Sequence, residues 1–443
     1  MKLSILQQTL TEIGMEPSKS LGQNFLHDQN LAEWIVAQLE LKSGDHLVEI
    51  GPGLGALTEF ALGRCDSTTL IEKDGRLAEF LKKQHGTVKG LEILHADALD
   101  YDERELFLHG PTKLLGNLPY YVTSPILFKF TAEPSPICRL VLTMQRELAE
   151  RLSAQPRTKA YGALTLIIQR RWCVKYLRTL PGSVFVPAPK VDSALVVLTP
   201  RDPDEFPECD GDFFRRIVKQ GFSQRRKQLR KMLAEYQLNW PALAAELKIS
   251  ETARAEELSL AQWIQLTNLI RPQNKTMAQD VHGEQFDVVD ETNQVIGTAS
   301  RHEVHTCKLR HRAVHIFVFN QCGELFLQKR SRWKDVHPLK WDSSASRHLN
   351  AGDDYDETAG RELTEELGIQ APMERIGKIA ACPNTGYEFV QLYRATHEGP
   401  FILPRAEIEC GGFFPIPLLQ RWIATRPKDF ATGFLECFRL FKL

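Results

Sequence analysis

The sequence predicts an α/β protein of more than one domain: a parallel sheet covered by helices, then a small helical domain, then a separate second α/β unit. Three observations predict it. At 443 residues the chain is too long for one ordinary domain of roughly 150 residues. Through the first half, strand-like runs alternate with amphipathic ones, the pattern of parallel strands joined by crossover helices. A polar stretch at 271–285, RPQNKTMAQDVHGEQ, has little apolar periodicity and divides two sets of elements.

Taken in order, HLVEI (46–50), TTLIE (68–72), LEILH (91–95), KLLG (113–116) and RLVLTM (139–144) are the strands of the first sheet. After Pro200 the spacing turns helical, with segments predicted near 213–234, 240–248 and 259–270. Beyond the polar stretch, FDVVD, VHIFVFN, ELFLQKR and EFVQLYRAT read as strands and ETAGRELTEELG as a helix. The domains expected are 1–200, 201–271 and 285–443, with a linker at 272–284.

Composition narrows the class. With 43% hydrophobic and 25% charged residues the chain is an ordinary globular protein, which excludes disordered, collagen-like and coiled-coil classes. The longest uncharged stretch, Leu114 to Phe128, is too short for a membrane span and holds Asn117, Pro119 and Pro125. No transmembrane helix is expected. The start, MKLSILQQTLTEIG, carries Glu12 and lacks a small-residue cleavage site, so we expect a cytoplasmic protein without a secretory signal. Nine cysteines are scattered singly with no C-x-x-C pair, which points to reduced thiols rather than zinc or a disulfide framework.

The net charge of −1 conceals a local contrast. Between Phe213 and Lys231 lie eight basic residues and no acidic one: Arg215, Arg216, Lys219, Arg225, Arg226, Lys227, Arg230 and Lys231. Such a block can meet phosphates, although alone it reads as a solvated helix face.

The chemistry of the first half begins at Glu49-Ile-Gly51-Pro-Gly53-Leu-Gly55, directly after a strand. Glycines there let the backbone pass close to a ligand at a strand-to-helix turn. The pattern also satisfies a loose dinucleotide fingerprint, so a nicotinamide and an adenosyl cofactor stay equally open here. Glu72 ends the next strand, placed to accept hydrogen bonds from ribose hydroxyls. Asp97 is placed to face an adenine edge. Asn117-Leu118-Pro119-Tyr120 follows KLLG and suits an exocyclic amine. Asn117 offers an amide oxygen, Leu118 a carbonyl held by Pro119, and Tyr120 an aromatic face. No strong general base is needed where in-line positioning supplies the rate.

In these motifs residues 1–271 resemble the ribosomal small-subunit adenine dimethyltransferases, which place two methyl groups on each of two adjacent adenosines near the 3′ end of small-subunit rRNA. The resemblance is collinear. It runs through Lys19-Ser-Leu-Gly-Gln-Asn24-Phe25-Leu26, the glycine turn, Glu72-x-Asp74, Asp97-Ala98, Asn117 to Tyr121, Gln145-Arg146-Glu147, and Phe185-Val-Pro-x-Pro-Lys190-Val-Asp-Ser193. It implies a Rossmann-like class I methyltransferase domain with a small helical domain. It implies that Asn24, Leu26, Gly51, Gly53, Glu72, Asp97 and Asn117 hold S-adenosylmethionine, and that Tyr120 and Phe185 sandwich a flipped adenine. The basic block would then grip rRNA. Large-subunit rRNA adenine methyltransferases of the antibiotic-resistance kind share much of this site and are the related alternative.

In the last domain, Glu362, Glu365 and Glu366 fall three and four residues apart on one helix face, hard oxygen ligands suited to Mg²⁺ or Mn²⁺. With Arg361 and Gly368 they resemble the Nudix box, and the surrounding sequence resembles the Nudix branch similar to isopentenyl-diphosphate isomerases. That implies a Nudix-type α/β/α sandwich and metal-dependent hydrolysis of a diphosphate. Two departures stand out. Arg347 occupies the position of the opening glycine, and Asp353 replaces a glutamate as metal ligand or partner of Arg361. WDSSAS holds serines where those isomerases carry a catalytic cysteine. The function expected is therefore an rRNA N6-adenine dimethyltransferase with a fused, divergent Nudix domain. A ribosome-assembly checkpoint factor with little catalysis and a dinucleotide oxidoreductase are the alternatives from other classes. Oligomeric state is not legible.

Overall fold

The computed structural model describes residues 3–17, 22–207, 209–271, 284–404 and 406–441. Lys19 to Leu21 of the first motif, and all of the expected linker except Glu284, lie outside them. The chain separates into two compact units, Met1–Gln273 and Asn274–Leu443.

The first unit is organised by a seven-stranded sheet. Its strands are β1 (His46–Ile50), β2 (Ser67–Glu72), β3 (Leu91–His95), β4 (Thr112–Asn117), β5 (Ile137–Gln145), β6 (Trp172–Leu180) and β7 (Ser193–Pro200), in spatial order β3-β2-β1-β4-β5-β7-β6. The first five run parallel; β7 enters antiparallel to both β5 and β6. Strand side chains alternate between faces, and here both faces are covered. Val48, Leu114, Leu140 and Val196 belong to one buried cluster, and Leu47, Leu115, Val141 and Leu195 to another. That is why these strands read as continuous apolar runs.

The helical segment predicted over 213–234 is not one helix. It runs from Gly211 to Gly221, stops, and resumes as a short turn at Leu229–Met232. At Gly221 a Cβ would lie 2.5 Å from the Trp263 ring, so the close approach of helix Leu260–Ile270 demands glycine there. The core of this part also takes in Tyr161 and Leu166, from before residue 200.

The second unit holds the hairpin β8 (Gln285–Val289) and β9 (Val295–Ser300) and a larger mixed sheet. The sheet strands are β10 (His311–Phe319), β11 (Leu325–Arg330), β12 (Trp341–Asp342), β13 (Ala345–His348), β14 (Met373–Ile379), β15 (Glu388–Thr396) and β16 (Ile408–Phe414). The path is β12-β11-β10-β15-β14, with β13 paired to β10 and β16 to β11. Val314, Ile316 and Val318 of β10 pack with Ala359, Leu363 and Leu367 of helix Tyr355–Leu367. On the intervening positions Phe317 meets Phe434 of helix Thr432–Phe441, ring centroids 5.8 Å apart. The sheet is therefore sandwiched between helices.

Candidate active site

The turns leaving the carboxyl ends of β1, β2, β3 and β4 line a cleft of about 1040 Å³ in the first unit. After β1 the chain turns through Gly51, Gly53 and Gly55, at φ of +66°, +60° and +81°. Side chains rarely adopt that conformation. A Cβ at Gly53 would lie 3.1 Å from the Phe25 ring, whereas one at Gly51 would meet nothing within 4 Å. Gly51 therefore presents bare backbone to open space.

Two carboxylates stand beneath and beside this turn. Glu72 is buried, and its oxygens accept from Gly53 N at 3.0 Å and Asp74 N at 2.9 Å. Burial raises its pKa, and those two backbone N–H groups oppose the rise. Asp97 accepts from Leu99 N at 2.9 Å and forms an ion pair with Lys73 at 2.6 Å. Lys73 holds the Asp97 carboxyl below its ordinary range. Deeper in the same cleft, Glu49 is fully buried and accepts from Thr58 Oγ1 at 2.7 Å. Burial pushes its pKa up to about 7, with Thr58 opposing and nearby Glu72 adding to the rise.

At the end of β4, Asn117 Nδ2 donates to the Asn24 carbonyl at 2.9 Å, which leaves Oδ1 as an acceptor. Asn24 is itself held by its side-chain bond to the Gly22 carbonyl at 3.0 Å. Leu118 N donates to Thr143 O at 3.0 Å, and among the described residues the Leu118 carbonyl accepts no hydrogen bond. The Pro119 carbonyl accepts from Val122 N and Thr123 Oγ1, closing the turn. Two adjacent acceptors on a rigid turn can bind the two hydrogens of an exocyclic amine and leave its lone pair available.

The aromatic groups divide. Tyr120 is half-buried, its hydroxyl 2.9 Å from Ser193 Oγ. Tyr121, a position to which the sequence assigned no role, borders the cleft and is 56% exposed. Leu26 and Phe185 face each other in a two-residue strand pair, and both are buried in the apolar cluster with Leu31 and Leu180. In this structure the Phe185 ring thus belongs to the core, 3% exposed, rather than to an open surface.

All eight residues of the basic block are exposed. Only Arg215, Arg216 and Lys219 lie on the first helix; Arg225, Arg226 and Lys227 sit on the turn after Gly221, and Arg230 and Lys231 on the short helix. Arg215 pairs with Asp212 and Arg225 with Glu256, both at 3.1 Å. Among the described residues the other six form no ion pair with a carboxylate.

The second unit has its own pocket, lined by Arg347, Glu362, Glu365 and Glu366 among others. Helix Tyr355–Leu367 is capped by Asp354, whose side chain accepts from Asp356 N and Glu357 N, and ends at Gly368 at φ +68°. Its inner face carries Glu362 and Glu366 among Ala359, Leu363 and Leu367, so these carboxylates are buried by the same stripe that anchors the helix. Arg347 meets them from β13. Its Nη1 lies 3.2 Å from Glu362 Oε2 and 2.5 Å from Glu365 Oε2, and its Nη2 lies 3.7 Å from Glu284. Glu366 Oε2 accepts from Gln328 Nε2 at 3.1 Å and Ser346 N at 3.3 Å. Asp353 pairs with Arg361 at 2.6 Å. The oxygens expected to ligate Mg²⁺ or Mn²⁺ thus face a guanidinium and amide donors, a set that does not fit a divalent ion. Two serines of WDSSAS are buried, Ser343 bonding to His315 Nδ1 at 2.7 Å and Ser344 to the Phe326 carbonyl.

Sequence reasoning missed one cluster. His305, His311 and His348 bring a ring nitrogen each within 4.8 Å of one another in the second unit. His348 Nε2 is 2.9 Å from Glu388, while His305 Nε2 and His311 Nε2 are buried without a hydrogen-bond partner. The available signal was two histidines six residues apart where a helix turns into β10.

Comparison with known proteins agrees with both halves of this description. Residues 15–271 match the profile of the ribosomal RNA adenine dimethylase family, and residues 309–430 that of the NUDIX domain. The ribosomal RNA small subunit methyltransferase A of Prosthecochloris aestuarii is 41% identical over 267 residues, covering 60% of this chain and 98% of that one. Its namesake in Lactiplantibacillus plantarum is 38% identical, covering 58% and 91%. A dimethyladenosine transferase structure from Plasmodium falciparum superposes with a TM-score of 0.47 at 23% identity, covering 56% and 98%.

Proposed function

The chain belongs to the ribosomal RNA adenine dimethylase family, and from that membership we propose that its first unit transfers methyl groups from S-adenosylmethionine to N6 of two adjacent adenosines near the 3′ end of small-subunit rRNA, two to each. The observation that carries the reading is Asn117. Its amide Nδ2 is held by the Asn24 carbonyl, which leaves Oδ1 as an acceptor where Asn117 lines the cleft.

The cleft suits the cofactor. Gly51 offers backbone with open space beside it, Glu72 a buried carboxylate for ribose hydroxyls, and Asp97 an acceptor for an adenine amine. Asn24, Leu26 and Gly53 complete the wall. Bound there, S-adenosylmethionine supplies an electrophilic methyl on a sulfonium. Asn117 Oδ1 and the Leu118 carbonyl then hold the N6 hydrogens of the target adenine, and the Tyr120 ring stacks on it. Phe185 joins the stack only once its ring leaves the core, so we assign base insertion a local opening at the Leu26–Phe185 pair. The rate comes from positioning; no residue need abstract the proton before the methyl moves. The exposed basic residues of 215–231 grip the phosphate backbone of the rRNA. No helix among the described residues is long and apolar enough to cross a membrane.

The test uses undermethylated small subunits, purified protein and methyl-labelled S-adenosylmethionine. N6,N6-dimethyladenosine in small-subunit rRNA that disappears with Asn117→Ala is the expected result. Binding of cofactor and subunit without transfer would instead favour an assembly checkpoint factor, and label confined to large-subunit rRNA would correct the substrate. The second unit has the Nudix fold, and its carboxylate geometry gives no support to metal-dependent hydrolysis at the box.

A further inference from the structure

We propose that Arg347 is a built-in substitute for the divalent cation of the Nudix box, so that the box in this chain is a closed ion-pair cluster and not a metal centre. Its guanidinium is within hydrogen-bond range of Glu362 and Glu365 and near Glu284, and only 16% of the side chain is exposed. A guanidinium presents five donors in a planar fork, which matches carboxylates arrayed around it. The fourth carboxylate is satisfied separately: Glu366 takes the Gln328 amide and the Ser346 N–H. That last bond ties the backbone beside Arg347 to the box helix, so the arginine is held in register with the glutamates it neutralises.

Glycine at this position would take the guanidinium away from Glu362 and Glu365, leaving Lys334 and Arg330 as the cations that reach the box carboxylates. Burial and the neighbouring Glu366 already drive Glu362 toward its neutral form, and Arg347 is what opposes this. A divalent ion entering the cluster would meet a fixed positive charge at the place it must occupy, and displacing Arg347 would break its contacts with Glu362, Glu365 and Glu284. The second unit is thus a Nudix fold with no hydrolysis of a diphosphate at the box.

Manganese binding to the full chain, followed by the paramagnetic resonance of free Mn²⁺, tests this. In the natural chain Glu362→Gln should leave Mn²⁺ binding unchanged, because any ion bound elsewhere, such as at the three histidines, does not use that carboxylate. Arg347→Gly should gain a Mn²⁺ site, tighter by on the order of 10⁴- to 10⁵-fold, as expected when a unit charge ~5 Å from a divalent ion is removed at an effective dielectric of ~20. Adding Glu362→Gln to Arg347→Gly should abolish the gained site. A Mn²⁺ site in the natural chain that Glu362→Gln removes would overturn the proposal, since the arginine would then swing aside. So would a folded Arg347→Gly variant that gains nothing. If Arg347→Gly does not fold, Glu362→Gln in the natural chain still decides.

Discussion

The two units each gather carboxylates at the end of a sheet or along a helix and treat them in opposite ways. In the first, Glu72 and Asp97 border an open cleft, oriented by backbone N–H groups and by one surface lysine. In the second, Glu362 and Glu365 are closed off by Arg347, a residue outside the helix that carries them. The box glutamates are present in the second unit as the motif residues are in the first, although the box departs at Arg347 and Asp353. What separates an available site from a sealed one is the side chain that faces the motif from a neighbouring strand.

The comparison can be broken most sharply at Asn117. If the first unit is the open one, Asn117→Ala should lower kcat/KM for rRNA methylation by on the order of a thousandfold, the scale of losing an oriented polar group aimed at the reacting atom. Subunit binding in a gel-shift assay should stay within a fewfold of the natural chain.

A second prediction concerns Glu49, which is as buried as Glu362 but has no cation beside it. A proton takes that place instead. Because its folded pKa of about 7 lies above the ordinary 4.5, the folded state binds the proton more tightly than the unfolded state. Its contribution is fully present below about pH 4.5 and is lost as pH rises through 7, a loss on the order of 3 kcal/mol. Denaturant unfolding of the natural chain and Glu49→Gln should differ in pH slope between 5 and 7.5, the variant being flatter. Parallel slopes would mean that Glu49 is charged throughout.

Smaller is the effect expected at Glu72. Replacing it with glutamine keeps the shape and removes the charge, and should weaken S-adenosylmethionine by roughly ten- to a hundredfold in calorimetry, the range for a hydrogen bond to a charged group. The smallest concerns the block of 215–231. Arg226→Ala or Lys227→Ala should weaken rRNA binding a fewfold and reduce the slope of log affinity against log salt by up to about one each. Arg215→Ala, already paired with Asp212, should change that slope less.

Much of this was legible because the signals were local. The strands at 46–50, 68–72, 113–116 and 139–144 were readable as apolar runs, since both faces of the sheet are covered there; the edge strand at 91–95 is only partly buried. The elements at 285–289, 311–319, 325–330, 355–367 and 388–396 were readable for similar reasons. What failed depended on contacts between distant residues. The need for glycine at 221, where the helix ends, comes from the approach of Trp263, 42 positions on, which no local pattern announces. The antiparallel insertion of β7 between β5 and β6 is topological. Arg347 was visible as a departure from the motif, but its reach to Glu362 and Glu365 comes from the pairing of β13 with β10 beside the box helix. The three histidines converge from a helix and two strands, so their spacing alone said little.

The bond from Asn117 to the Asn24 carbonyl has a consequence for inhibitor kinetics. The group proposed to recognise the target base takes its aim from a residue lining the cavity proposed for the cofactor. A compound that enters that cavity and pushes residues 22–24 outward would disorient Asn117 as well. Such a compound should compete with the cofactor and also weaken binding of the target adenine to the inhibited enzyme, whereas a slimmer compound filling the same cavity should compete with the cofactor and leave base binding unchanged.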